Sequence, residues 1–163
     1  MMKSFQLVSR LSVAVALAAS LGVNPALSQT KQEHVHQMGH SVMPFDLNKS
    51  MHVFRMTDLG GVQSVVVKDA NDKDQVALIR QHLQHEAEAF QRGDYADPMA
   101  LHGAAMLGVS ELASHRQEIE VSYSELPLGA AIAFETQDRH LVTAVHRWFG
   151  AQLSAQGSDA RPE

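Results

Sequence analysis

Residues 74–93 read DQVALIRQHLQHEAEAFQRG. Val76, Ile79, Leu83 and Phe90 are spaced as one face of a helix, and Gly93 supplies a stop. The polar break from Asp69 to Asp74 can cap such a helix at its start. Upstream, residues 51–57 alternate. His52, Phe54 and Met56 point one way, and Met51, Val53 and Arg55 the other. Leu59-Gly60-Gly61 reads as a turn, and Gln63 to Lys68 carries Val65-Val66-Val67. Glycines between two β-rich runs predict a hairpin. The stretch is therefore a ββα unit.

The same order recurs downstream. Ile119 to Tyr123 alternates, SELPLG turns, and Ala130 to Thr136 is an apolar strand. Asp138 then caps a final helix with Leu141, Val145, Trp148 and Phe149 on its apolar side. Between the units, Met99 to His115 predicts a further helix, weakened by Gly103 and Gly108. The expected fold is α+β: two ββα units forming an antiparallel sheet with helices packed on one face. Internal duplication and two unrelated but similar units both fit this pattern.

The flanks divide the chain further. MMKSFQLVSR carries Lys3 and Arg10 and no acid, and an uncharged apolar run follows from Leu11 to Val23. Asn24-Pro25 and the small residues of Ala26-Leu27-Ser28 complete the order of a secretory signal peptide. Residues 1–28 are expected to be removed after Ser28, giving a periplasmic or secreted chain. Residues 29–48 are polar and aperiodic and predict a flexible arm. Residues 49–153 form the single α+β domain, and 154–163 a disordered tail.

Without Lys3 and Arg10, 11 basic and 18 acidic residues remain, a net charge of −7 with histidines neutral. Nucleic-acid phosphates and anionic membrane surfaces both require a basic face, so neither partner is expected. There is no cysteine. A soft-metal site must then come from methionine and histidine. All ten histidines lie beyond residue 28, roughly three times ordinary usage.

Three stretches concentrate ligand-type side chains. HVHQMGHSVM places His34, His36, Met38, His40 and Met43 within ten residues. HLQHE puts His82 and Glu86 one helical turn apart, with His85 turned further toward solvent. Such a pair can share a metal or work as acid and base. PMALHGAAM spaces Met99, His102 and Met106 as one helical stripe. His52 can join either site across the sheet. Thioether sulfur suits Cu(I), and imidazole suits both copper oxidation states, so mixed His/Met ligation points to copper ahead of zinc. Haem held non-covalently by a His/Met pair is a further option. Ordinary structure accounts for each stretch as well: a solvated tail, a polar helix flank, a methionine-packed core. Nothing in the chain matches a nucleophile elbow, a phosphate loop or a dinucleotide fingerprint.

From MPFDL through HVF, GGVQ, IRQHL, EAEAF, GDYADP and LHG to WFGAQL, the chain resembles a family of small exported bacterial His/Met-rich proteins. Members of that family sometimes carry the label aspartate carbamoyltransferase. A transcarbamoylase is a two-domain enzyme about twice this size with a Ser-Thr-Arg-Thr phosphate motif, and this chain has neither. HVHQMGHSVM is separately similar to the His/Met-rich segments of periplasmic copper-handling proteins. The resulting expectation is an exported copper-binding protein acting in sequestration, delivery or resistance. The alternatives are a metal-dependent hydrolase using His82, Glu86 and His102, a haem-binding protein, and a small-molecule or protein-binding domain with an unidentified periplasmic partner.

Overall fold

The computed structural model describes residues 30–163; the expected signal peptide, residues 1–28, lies outside them. Two hairpins make the framework. The first joins β1 (Ser50–Thr57) to β2 (Gly60–Val67), and the second joins β3 (Glu120–Leu126) to β4 (Gly129–Glu135). Thr57 pairs with Gly60, so the first turn is Asp58-Leu59, and the two glycines open β2. Gly61 is needed there because the Phe149 ring and the Arg55 carbonyl occupy the space a Cβ would take.

Helix α2 (Lys73–Gln91) follows the first hairpin, and α5 (Arg139–Gln156) follows the second. Asp72 caps α2 through the Gln75 amide, and Asp138 caps α5 through the His140 amide. Each caps a backbone donor that would otherwise be unsatisfied. The architecture is α+β, as the alternation of strand and helix periods requires. β2 and β4, the second strands of the two hairpins, pair antiparallel at the centre. Phe54, Val65, Ile132 and Phe134 share one buried face of the sheet, against which α2 and α5 pack. Trp148 closes the core with its ring edge-on to Phe90, Tyr95 and Phe134, at centroid distances of 5.1 to 5.4 Å.

Three expectations are corrected. First, the sheet is mixed. Its order is β3-β4-β2-β1-β5, and β5 (Ala160–Pro162) runs parallel to β1. The segment expected to be a disordered tail instead extends α5 to Gln156, reverses at Gly157 (φ 56°) and covers the β1 edge. An uncovered strand edge invites pairing with other chains, which is a reason to cover it.

Second, the expected flexible arm contains helix α1 (Lys31–Val42). Thr30 and Glu33 form a reciprocal capping box, which satisfies two end donors. Val35 is buried, and Gly39 sits so close to Leu47 that a Cβ would strike its side chain. Third, the expected helix from Met99 to His115 is two short ones, α3 (Ala96–His102) and α4 (Val109–Ser114). Gly103 and Gly108 take φ of 97° and 84°, values that other residues rarely adopt. Met106 lies in the connection, so Met99, His102 and Met106 do not form one helical stripe.

Candidate functional site

Side chains from strands β1, β2 and β4, helices α2, α3 and α5 and the turn after α1 converge on a cavity of about 40 Å³ between the helices and the sheet. Strand alternation turns His52 inward beside Phe54 on β1. The i, i+4 spacing on α2 brings His82 and Glu86 to the same place. α3 adds Asp97 and His102, and the turn after α1 adds Met43 and Phe45. Gln63 of β2 and Trp148, Gln152 and Gln156 of α5 also line it, with apolar residues between them. A space of this size holds an ion or a few water molecules.

Six buried polar atoms have no hydrogen-bond partner among the described residues: His52 Nδ1, His102 Nδ1, Gln63 Oε1, Gln156 Oε1, Gln152 Nε2 and Trp148 Nε1. All six belong to residues lining this one cavity. Buried polar groups are ordinarily paired, so their concentration here marks the chamber as a place for something that hydrogen-bonds or coordinates. His52 also bonds the Asp159 backbone. That contact uses its other ring nitrogen as donor, which leaves Nδ1 as the unprotonated nitrogen with a free lone pair.

The chamber suppresses charge. Burial pushes His52 down to about 3, with the His102 and His82 rings adding to the shift and Asp159 opposing it. Burial likewise lowers His82 to about 4, against the pull of Asp97. His102 is also lowered to about 4, by burial and then by His34. Glu86 moves the other way, up to about 8, through burial and then through the charge and hydrogen bond of Asp97. At neutral pH the imidazoles are uncharged, and Glu86 keeps a proton that it shares with Asp97 by hydrogen bond. Neutral imidazole is the form that binds metals.

Of the eleven residues singled out in the sequence, Met43, His52, His82, Glu86 and His102 reach the chamber. The others do not. His36 hydrogen-bonds the Asp159 carboxylate at 2.6 Å and so helps dock α1. Met38 packs against the core. His40 and His85 are exposed. His34 and Met106 line a separate outer groove, whose wall includes the chamber residue His102. Among the described residues, no three of His, Asp and Glu sit close enough together to hold a metal ion.

Sequence reasoning missed the chamber's glutamines and Phe45, which carry no motif. Asp97 likewise carries no motif of its own. His146 is structural, since its Nε2 meets the Thr57 and Gly60 carbonyls at 3.0 and 2.9 Å. No described helix is long and apolar enough to cross a membrane. No family, curated protein or solved structure matches the chain.

Proposed function

We propose that this chain is an exported copper-binding protein that holds Cu(I) in the inner chamber. The observation that carries the reading is the convergence of three uncharged imidazoles and one thioether on one small cavity. Two of those imidazoles have an unpartnered Nδ1. A soft monovalent ion favours nitrogen and sulfur ligands, and Cu(I) accepts as few as two of them, so a preassembled triad is not required. In this reading His52 and His102 bind the ion, and His82 and Met43, which line the same cavity, are candidate further ligands. The Asp159 backbone holds the His52 ring in position, as outer partners of ligating histidines commonly do. The biological role is sequestration, delivery or resistance in the periplasm.

The test is a Cu(I) competition titration of the chain from Gln29 to Glu163, without a histidine tag. His52→Ala and His102→Ala should each weaken binding by at least tenfold while leaving the circular dichroism spectrum intact. Unchanged affinity in both variants would remove copper from the chamber. The amides of Gln63, Gln152 and Gln156 favour a second reading, a small neutral hydrogen-bonding ligand. Native mass spectrometry of the copper-free protein would detect it as an added mass lost in Gln152→Leu.

A further inference from the structure

A second concavity lies on the other side of His102, between α1, the α3–α4 connection and α5. At about 850 Å³ it falls in the size range of small-molecule sites. Its walls are apolar, with Val35, Leu101, Met106, Leu107, Ala151 and Ala155 among them. Leu107 is 62 % exposed, the most of any large hydrophobic side chain described. Leaving such a surface in water is unfavourable, and an apolar ligand that covers it removes that cost.

The charges at this groove have one sign. Lys31 and Arg147 line it, and no aspartate or glutamate does, although the chain carries a net charge of −5. Arg147 reaches one carboxylate, Glu111, at 4.0 Å with both side chains well exposed. Such a pair is worth little. Lys31 makes no ion pair among the described residues. Both cations are thus free to meet an incoming anion, and a guanidinium suits a carboxylate's two oxygens.

We infer that this groove binds an organic monoanion with an apolar body, of the class of a free medium-chain fatty carboxylate. The apolar walls disfavour a bare inorganic anion as the matching ligand, and the two cations that line the groove disfavour a neutral hydrocarbon. The floor is open as well. Gly150 of α5 lines it, and a Cβ there would meet no atom within 4 Å. A chain of methylenes lies along the floor, and its carboxylate sits between Lys31 and Arg147.

Isothermal titration with monomeric decanoate tests this, with decan-1-ol as the uncharged counterpart. Decanoate should bind saturably at one per chain, at least tenfold more tightly than the alcohol. Gly150→Leu fills the groove and favours the helix, so the variant should fold and lose decanoate binding at least tenfold. The Lys31→Ala/Arg147→Ala double variant should do the same. Equal binding of the alcohol, unchanged binding by Gly150→Leu, or no binding by the wild type would each overturn the proposal. Gly150 is not a chamber residue, so Cu(I) affinity should be unchanged in that variant, and the copper reading stands or falls separately.

Discussion

At the scale of single residues, the chamber makes an opposing pair of pH effects. His52, His82 and His102 titrate at about 3, 4 and 4 when folded, against 6.5 when exposed. Below pH 6.5 the unfolded chain takes up protons that the folded imidazoles refuse. Their contribution is intact above 6.5 and is lost as pH falls toward 4. Glu86 behaves in the opposite sense, with a folded value of about 8 against 4.5. Its contribution is intact below 4.5 and is lost as pH rises toward 8. Three groups outweigh one on the acid side, so the Tm of the copper-free protein should peak near about pH 6.5. Thermal melts from pH 4 to 9 check this. Glu86→Gln should flatten the decline between 6.5 and 8 while keeping the acid limb. The residue types of this chamber were legible in the sequence. HLQHE placed a His and a Glu on one helical face, and alternation put His52 with Phe54. The partners were not legible, because a glutamine facing a cavity has the same local pattern as a glutamine facing water.

At the scale of elements, the short helices and α1 depend on a few contacts that composition does not announce. Gly108 begins α4 with φ of 84°, and its missing Cβ would fall on the Ala144 carbonyl of α5. Gly108→Ala should cost at least about 1–3 kcal/mol of stability, read as a lower urea midpoint with unchanged m. Gly103→Ala provides the control. It has φ of 97° but open space around the Cβ, so it should cost less. Helix α1 is held at Asp159, which takes His36 at 2.6 Å, Gln32 at 2.8 Å and Lys68 at 3.1 Å. Burial works to raise the Asp159 carboxyl, and these three partners outweigh it and keep it low. Asp159→Ala should raise amide exchange across residues 31–42 by at least about tenfold, equivalent to ~1.4 kcal/mol, and leave α2 protected. Equal exchange in both proteins would mean that Val35 and Gly39 alone dock the helix. The capping box of α1 was present in the sequence as Thr30 and Glu33. The helix was nonetheless read as an arm, because only Val35 and Gly39 in it are buried, too few to give a visible period.

At the scale of the whole molecule, the two ββα units follow from local pattern alone. Alternation sets which side of a strand is buried, the 3.6-residue repeat sets which side of a helix is buried, and aspartates mark where α2 and α5 begin. Those signals act between residues close in the chain, so the sequence by itself determined the fold class, the two hairpins and the inward faces of the two ββα units. It also determined the stock of imidazole and thioether side chains and the absence of any thiol. The tertiary structure alone decided which of them meet. Met43, His52, His82 and His102 lie on four different segments, and their distances depend on how α2, α3 and α5 pack on the sheet. The same packing took His36 out of the ligand set by giving it Asp159, and it set His102 between the inner chamber and the outer groove. It also turned the last residues into a parallel strand, since a three-residue segment has no periodicity and is ordered only by the β1 edge that it covers.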